Sequence, residues 1–122
     1  MGYTMGDGEM VQGKITIAVY IDTDGRSPFD DWIDSLQDRG IAHRIRSQVG
    51  RIRVGNLGHF RSLGGGICEI KIDMGPGYRV YFAFWGENRV MLLCGGSKKT
   101  QEADILKAKR YRAYHQGRFY EA

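Results

Sequence analysis

Hydrophobic and polar residues alternate with a period of two near the middle of the chain, which predicts two paired strands. The segments "EIKID" (residues 69–73) and "YRVYFAF" (residues 78–84) place apolar side chains at every second position. Pro76 and Gly77 lie between them and are typical of a tight turn, because proline fixes φ and glycine tolerates a positive φ. The hairpin therefore has one apolar face and one polar face. The polar face carries Glu69, Lys71, Arg79 and Tyr81.

Two upstream segments have the spacing of amphipathic helices instead. Ser27 as N-cap and Pro28 as first helical residue predict the start of the first helix, and Gly40 predicts its end. Its apolar residues stand at i, i+3, i+4 and i+7: Phe29, Trp32, Ile33 and Leu36. The second segment, residues 41–56, has a similar stripe that comprises Ile41, Ile45, Val49 and Ile52, and it ends at Gly55-Asn56. We expect an antiparallel pair of helices.

The remaining segments complete an α+β domain. Strands are predicted at "KITIAVYID" (residues 14–22) and "RVMLLCGG" (residues 89–96), and a glycine-rich connection at residues 55–66. The last helix is predicted over residues 97–116, with Thr100 as a candidate N-cap. The order β-α-α-β-β-β-α predicts a small antiparallel-rich sheet with an αα-hairpin and a C-terminal helix. We expect the helices to cover one face of the sheet and to leave the other open.

The chain of 122 residues is the size of one domain. Residues 1–13 are rich in glycine and lack periodicity, so we expect a disordered N-terminal extension, one domain over residues 14–116 and a C-terminal tail over residues 117–122. No apolar run approaches the roughly 20 residues of a membrane span, and the N-terminus lacks an apolar signal core. We therefore expect no membrane association and a cytoplasmic protein.

Two cysteines, Cys68 and Cys94, are too few for a disulfide framework. Each lies two positions from an apolar residue of its strand, so we expect both to be small buried hydrophobic residues on the apolar face. The three histidines lack the spacing of metal ligands, and no glycine motif fits a dinucleotide. We predict no metal site and no cofactor.

Charge is segregated along the chain, beyond a net charge of +4. Six of the fourteen carboxylates lie between Asp22 and Asp38, and none lies between Arg39 and Cys68. That acid-free segment contains Arg39, Arg44, Arg46, Arg51, Arg53 and Arg61. Such segregation suits a polyanionic partner such as nucleic acid, or an acidic protein, while a solvated helix face is the ordinary alternative.

The segment "GGSKKT", residues 95–100, follows a predicted strand and precedes a predicted helix. It lacks the G-x-x-x-x-G-K-[ST] spacing, which excludes a P-loop nucleotide triphosphatase. Its glycines allow close backbone approach, the helix start offers free amides, and Lys98 and Lys99 add positive charge. Together with the polar face of the hairpin, this segment predicts a concave basic surface that holds a phosphate backbone.

These motifs together resemble the RelE/ParE superfamily of bacterial type II toxins. The stretches "EIKI", "GPGYRVYFAF" and "VMLLCGGSKKTQEADILKAK" carry the resemblance, with "FDDWIDSLQDRGIAHRIRSQVGRIRVGN" upstream, so that it spans residues 15–109. It is strongest to the HigB-like branch, often described as addiction-module killer proteins. The resemblance implies an mRNA interferase: a ribosome-dependent, metal-independent endoribonuclease that inhibits translation and arrests growth. A ribose 2′-hydroxyl would attack the adjacent phosphate, leaving a cyclic phosphate and a 5′-hydroxyl.

The resemblance also implies roles for individual residues. Arg79 matches the arginine of the family's "GYR" pattern and would hold nonbridging phosphate oxygens. Lys71 matches a strand lysine that would orient the phosphate or assist activation of the hydroxyl. Lys98 or Lys99 matches a basic residue near the leaving group, and the alignment does not choose between them.

Two positions depart from the pattern of the best-known ribonuclease in the family. Glu69 stands where that protein has a lysine, and Asp104 and Ile105 stand about where it has its catalytic tyrosine. Tyr81 on the hairpin is a candidate substitute for that tyrosine. Contact with RNA or with an antitoxin is assigned to Glu69 and to the exposed arginines Arg51, Arg53 and Arg61.

Toxins of this superfamily have a cognate antitoxin, often with a helix-turn-helix DNA-binding domain, so the resemblance implies such a partner. Operator DNA would be contacted only through the toxin–antitoxin complex. Two alternatives stay open: a ParE-like toxin that inhibits DNA gyrase without chemistry, and an inactive remnant that only binds its antitoxin. The missing helix tyrosine favours the gyrase inhibitor. Retention of Lys71, Arg79, Lys98 and Lys99 favours the nuclease.

Overall fold

The computed structural model describes residues 14–115 and 118–122. Within these residues it contains six strands, three α-helices and two short 3₁₀ turns. The strands are β1 (Thr16–Tyr20), β2 (Phe60–Gly64), β3 (Ile67–Ile72), β4 (Tyr78–Phe84), β5 (Arg89–Ser97) and β6 (Phe119–Glu121). The helices are α1 (Pro28–Ser35), α2 (Arg39–Gly50) and α3 (Gln101–Ala113), and the 3₁₀ turns are Arg51–Val54 and Lys98–Thr100.

The six strands form one sheet in the order β2-β3-β4-β5-β1-β6. β1 runs parallel to β5, with Thr16 opposite Arg89, and every other neighbouring pair is antiparallel. The predicted α+β class is confirmed, with a mostly antiparallel sheet, two consecutive helices and a C-terminal helix.

The first two helices begin at polar caps. Ser27 caps α1 and Pro28 is its first residue, as predicted. The side chain of Asp38 caps α2 by accepting a hydrogen bond from the backbone N of Gly40 at 2.9 Å. Gly40 therefore lies inside α2, and the prediction that it ends the first helix is wrong. Gly55, at φ 87°, ends the 3₁₀ turn that follows α2, as predicted.

One face of the sheet is covered by α1 and α2. Phe29, Ile33 and Ile45 of these helices are fully or almost fully buried and pack on the strands. The strand residues that they cover include Ile17, Ile70, Val80, Phe82 and Leu92. This is the apolar face predicted from the alternation in β3 and β4, and its burial is the main favourable contribution to folding.

The opposite face of the sheet is covered as well, so the prediction that it is open is wrong. α3 packs there, and its Ala108 lies in a second buried cluster with Tyr81, Ala83 and Leu93. The central strands β4 and β5 carry apolar residues on both faces, as strands buried on both sides do. The buried residues of α3 are Asp104 and Ala108. Ile105 and Tyr111 of α3 are partly buried and pack against the same cluster, at a spacing that places them on one side of the helix with Ala108.

A β-bulge breaks the alternation between β4 and β5. Tyr81 pairs with Cys94, but the next residue, Phe82, pairs with Leu92, so Leu93 has no opposite residue. Leu93 and Cys94 both lie on the α3 face. The prediction that Cys94 shares a face with Leu92 is therefore wrong. Both cysteines are free and buried, as predicted.

Two strands lie in segments that have no alternating pattern. β2 lies within the predicted glycine-rich connection and pairs with β3, with Arg61 opposite Glu69. β6 lies within the segment predicted as a C-terminal tail and pairs with β1, with Tyr120 opposite Val19. The predicted extension 1–13 lies outside the described residues. Among the helices of the described part of the chain, none is long and apolar enough to cross a membrane.

Adjacent glycines on β5 let α1 and α3 approach this strand from opposite faces. A Cβ on Gly95 would lie 2.3 Å from ring atoms of Trp32 on α1. A Cβ on Gly96 would lie 1.8 Å from Oδ2 of Asp104 on α3. The glycines allow close approach to the backbone, as predicted, and the groups that approach are side chains of the two helices.

Candidate active site

An open cleft of about 420 Å³ lies beside the first turn of α3, where β2, β3 and β4 are neighbours. It is lined by His59, Phe60, Arg61, Glu69, Lys71, Arg79 and Gln101. Polar and charged groups dominate this lining. The cleft is therefore suited to a polar or charged ligand rather than to an apolar one.

The strand register brings four of the predicted site residues together. Lys71 on β3 lies opposite Arg79 on β4, and Arg61 on β2 lies opposite Glu69 on β3. Residues that face each other on adjacent strands share one face of the sheet, with Cβ atoms about 5 Å apart. Glu69 and Lys71 are two residues apart on one strand and so share that face too.

Glu69 is the carboxylate of the cleft and is only 3% exposed. Its Oε1 accepts a hydrogen bond from Nε of Arg61 at 3.1 Å, and its Oε2 accepts one from Nε2 of Gln101 at 2.8 Å. Nε of Arg79 lies 3.9 Å from Oε2. A buried carboxylate is costly unless it is paired and hydrogen-bonded, and these three neighbours do both.

Arg79 is 7% exposed, and its guanidinium is only partly satisfied by the protein. Nη1 donates a hydrogen bond to the carbonyl oxygen of Gly77 at 3.3 Å. Nε is buried and has no hydrogen-bond partner, since its 3.9 Å separation from Glu69 is too long for one. The attraction of this nitrogen to the carboxylate of Glu69 is therefore ionic rather than a hydrogen bond.

Lys71 and His59 lie at the exposed rim of the cleft. The backbone N of Lys71 donates to the carbonyl oxygen of His59 at 2.9 Å, which holds the two residues side by side. Nζ of Lys71 lies 3.7 Å from Oδ1 of Asp73. Both of these side chains are more than half exposed, so this ion pair holds the lysine only weakly.

Lys98 and Lys99 lie near the cleft but do not line it. Both are exposed in the 3₁₀ turn between β5 and α3. The backbone N of Lys98 donates at 2.9 Å to the carbonyl oxygen of Gly77, which also accepts from Arg79. This shared acceptor places the backbone of Lys98 beside the Arg79 guanidinium.

Arg51 and Arg53 are exposed in the 3₁₀ turn after α2 and do not line the cleft. The carbonyl oxygen of Arg53 accepts a hydrogen bond from N of Ile15 at 3.0 Å, so this turn is held beside the start of β1. Their predicted contact with RNA or with an antitoxin would therefore use a surface separate from the cleft.

Tyr81 is completely buried, and the prediction that it lies on an open face is wrong. It faces α3, does not line the cleft, and its hydroxyl has no hydrogen-bond partner. Burial raises the pKa of this hydroxyl, and the nearby carboxylates of Glu69 and Asp104 raise the pKa further. The side chain is part of the packing between β4 and α3.

His59 and Gln101 line the cleft without having been predicted as site residues. His59 directly precedes β2. Because β2 has no alternating pattern, nothing in the sequence places this histidine beside β3. Gln101 is the first residue of α3, and its position on the cleft follows from the packing of α3 on the predicted open face. A strand assignment for "HFRSL" is the signal that would have located His59.

The cleft thus combines groups for proton transfer with groups for charge stabilisation. Glu69 can accept a proton, the imidazole of His59 can give or take one, and Arg79 can bind an anion. Within the described residues, no group of three or more histidine, cysteine, aspartate or glutamate side chains is placed to hold a metal ion. These side chains can bind an anion and exchange protons with it.

Residues 29–113 match the family described as Phage derived protein Gp49-like (DUF891). An uncharacterized protein of Haemophilus influenzae is 42% identical over 81 residues, which cover 66% of this chain and 82% of that protein. No solved structure matches the chain. The family match includes the three helices except Pro28, the first residue of α1, and every residue that lines the cleft. The chain therefore belongs to the Gp49-like phage-derived family, a toxin–antitoxin-associated family related to the RelE-like toxins.

Proposed function

We propose that the protein is the toxin of a type II toxin–antitoxin system, of the HigB-like branch, and that it cleaves mRNA as an endoribonuclease. Membership of a toxin–antitoxin-associated family supports the first part of this proposal. The observation that carries the second part is the buried carboxylate of Glu69 beside the guanidinium of Arg79 in an open cleft.

Glu69 is the general base of the proposed reaction. Its carboxylate takes the proton of a ribose 2′-hydroxyl, whose oxygen attacks the adjacent phosphorus. The bond from phosphorus to O2′ forms as the bond to O5′ of the next nucleotide breaks, giving a 2′,3′-cyclic phosphate and a 5′-hydroxyl. This assignment differs from the lysine found at this position in the best-known relative. A carboxylate accepts a proton directly, whereas a lysine ammonium must first lose one.

Arg79 and Lys71 stabilise the negative charge that develops on the phosphate oxygens. Arg79 lines the cleft, and its guanidinium would donate hydrogen bonds to the nonbridging oxygens. Such prepositioned donors are usually the largest single contribution to catalysis of this type. Lys71 lies opposite Arg79 on the neighbouring strand, from where its exposed ammonium group reaches the same phosphate.

His59 is proposed to protonate the leaving O5′ oxygen. It lies on the rim of the cleft beside Lys71, so Glu69 and His59 flank the place where the phosphate would bind. An acid and a base on two sides of a phosphate are what in-line transfer requires, because one proton leaves the attacking oxygen while another joins the leaving oxygen.

We further propose mRNA on the ribosome as the substrate and a cognate antitoxin, of the helix-turn-helix DNA-binding kind, as the partner. The net charge of +4 supports a polyanionic substrate. Association of the family with toxin–antitoxin pairing supports the antitoxin. Operator DNA would be bound only through the complex, and the toxin would act in the cytoplasm, where mRNA is translated.

Induced expression in a bacterial host tests the proposal, with primer extension on abundant transcripts beside a DNA-supercoiling assay. We expect new 5′ ends within coding regions for the unmodified protein and none for Arg79→Ala. Arg110→Ala is the matched control, because it removes the same charge from an exposed position on α3 outside the cleft. Thermal unfolding of the purified variants checks that each one folds.

Two other results would reject the nuclease. Intact transcripts together with altered supercoiling would identify a gyrase inhibitor. Normal growth with neither effect would leave a protein that binds its antitoxin without being toxic.

A further inference from the structure

A second cavity, of about 240 Å³, adjoins the cleft. It is lined by Arg44, Gln48, Gly58, His59, Lys71, Ile72, Asp73 and Met74. His59 and Lys71 line both cavities, so the two cavities are neighbours, one on the β4 side of these residues and the other on the α2 side. A substrate longer than one nucleotide that enters the cleft would have to pass His59 and Lys71 in one direction or the other.

The α2 wall of the second cavity carries a cation that the protein does not neutralise. Arg44 is exposed and, among the described residues, has no hydrogen bond or ion pair. Arg46, two residues further along α2, is engaged with its neighbours instead. Its Nη2 lies 3.3 Å from Oδ1 of Asp30, and its guanidinium lies over the ring of Phe29 at 6.0 Å. The unpaired arginine of α2 is thus the one that faces a cavity.

The other walls of the cavity are suited to a nucleoside. Ile72 and Met74 provide an apolar surface, and the imidazole of His59 provides an aromatic ring, the side-chain type on which unpaired bases stack. Gly58 lies close to Gln48, because a Cβ at position 58 would lie 2.5 Å from Nε2 of that glutamine. The Oε1 atom of Gln48 accepts a hydrogen bond from Nη1 of Arg51 at 3.3 Å, and its Nε2 is left to donate to a base or a ribose.

The one acid that lines the cavity follows β3, whereas Arg44 is on α2. Asp73 pairs with Lys71 at 3.7 Å, at the end of β3. Its negative charge disfavours a phosphate on that side, whereas Arg44 on α2 favours one. The electrostatics of the cavity therefore place a phosphate against α2 and the rest of the nucleotide against Ile72 and Met74.

We propose that the second cavity is the subsite for the nucleotide next to the cleaved bond, with Arg44 binding its phosphate. This inference rests on the proposed RNA substrate and adds the path that the RNA takes away from Glu69 and Arg79. Arg44 is a binding residue in this arrangement. It lies outside the cleft and takes no part in proton transfer.

Salt-dependent binding of a single-stranded RNA tests the subsite. The probe is a fluorescein-labelled RNA of ten nucleotides and mixed sequence with every 2′-hydroxyl methylated, so that binding is measured without cleavage. For single strands, the logarithm of the association constant falls with the logarithm of the salt concentration by about 0.7 for each phosphate that is neutralised. Arg44→Ala should lower that slope by about 0.7 and weaken binding roughly tenfold, the effect of one lost charged contact.

Arg46→Ala is the matched control, because it removes the same charge from the same helix. It should leave the slope unchanged, and thermal unfolding checks that both variants are folded. Equal losses for the two variants would mean that the helix attracts RNA only through its overall charge, which would overturn the subsite. An unchanged slope for Arg44→Ala, or no RNA binding by the unmodified protein, would also overturn it.

The same proteins separate this inference from the proposed function. Cleavage of transcripts with no effect of Arg44→Ala on binding would leave the nuclease in place and remove the subsite. If RNA binding depends on Arg44 but no transcript is cleaved, the proposed subsite binds RNA and the protein is not a nuclease.

Discussion

Nε of Arg79 lies 3.9 Å from Oε2 of Glu69, and these two side chains are 7% and 3% exposed. The separation is too long for a hydrogen bond, but two opposite charges this close attract each other strongly in a partly desolvated cleft. A buried ion pair contributes little net stability, although removal of one partner is costly. Stability alone therefore does not explain why a buried arginine keeps an unused donor beside a buried carboxylate. The arrangement agrees with the proposed site, in which the guanidinium of Arg79 holds a phosphate bound in the cleft beside it.

Glu69→Gln should separate RNA cleavage from RNA binding. Glutamine keeps the shape of the side chain but cannot take the proton of a 2′-hydroxyl, so cleavage should fall by about 10²- to 10⁴-fold. The substitution also removes a negative charge from a cleft that binds phosphate, so affinity for methylated RNA should stay the same or rise. Glu102→Gln, the same substitution at an exposed position in the first turn of α3, should change neither quantity. Cleavage by Glu69→Gln at the unmodified rate would exclude Glu69 as the base.

Lys98 should matter more for cleavage than Lys99. The backbone N of Lys98 donates a hydrogen bond to the carbonyl oxygen of Gly77, which also accepts one from Arg79. A Cβ at Gly77 would lie 3.9 Å from Cβ of Lys98. We expect Lys98→Ala to slow cleavage roughly tenfold, as for one lost charged contact. Lys99→Ala should cleave at the unmodified rate. The measurement is the cleavage rate of each variant on one transcript at one protein concentration. If Lys99→Ala were the slower of the two, Lys99 rather than Lys98 would be the lysine that contributes to cleavage.

Tyr81→Phe should leave cleavage intact and should not destabilise the protein. The hydroxyl of Tyr81 is buried without a partner, and an unsatisfied polar group of this kind costs about 1–3 kcal/mol. Its removal should therefore leave the free energy of unfolding unchanged or raise it by about 1 kcal/mol. Urea denaturation measures this change. Loss of cleavage in a well-folded Tyr81→Phe protein would show that the hydroxyl does take part, contrary to its position under α3.

The elements with regular periodicity could be predicted from the sequence, together with most of the cleft. Alternation in β3 and β4 places Glu69, Lys71 and Arg79 on one face, and the strand register confirms this placement. The side-chain cap at Ser27 and the left-handed Gly55 are local signals, and both are confirmed. Local signals of this kind depend only on neighbouring residues, so they can be read without knowledge of the tertiary structure.

The features that could not be predicted depend on contacts between segments distant in sequence. β2 has no alternation of its own and is a strand because β3 offers it an edge, which brings His59 and Arg61 to the cleft. α3 packs on the second face through Ala108, Asp104 and the partly buried Ile105 and Tyr111, and its sequence alone does not indicate which face of the sheet these residues cover. Tyr81 is two residues from Arg79 on β4 and so points to the same face of the sheet, but it lies under α3 rather than in the cleft. The alternation along a strand assigns each residue to one face of the sheet, but it does not indicate which element covers that face.

Gly96→Ala should destabilise the protein and also impair the cleft. Its Cβ would lie 1.8 Å from Oδ2 of Asp104 and 2.7 Å from Oγ1 of Thr100, so the first turn of α3 would have to move. Overpacking of this kind costs about 1–3 kcal/mol. Gln101 is in that turn and binds Glu69, and Gly96 lies opposite Arg79 in the sheet. Movement of α3 would therefore disturb both residues on which the proposed cleavage depends.

Gly50→Ala is the matched control for this prediction. Gly50 ends α2 at φ −59°, and the nearest atom to its Cβ would be Nη1 of Arg53 at 3.4 Å, the mobile end of an exposed side chain. Alanine is favoured over glycine in a helix by up to about 1 kcal/mol, so this variant should be as stable as the unmodified protein or slightly more stable. Urea denaturation of both variants, beside their cleavage rates, tests the difference. A Gly96→Ala protein as stable and as active as Gly50→Ala would mean that α3 does not depend on its close contact with β5 to hold Gln101 at the cleft.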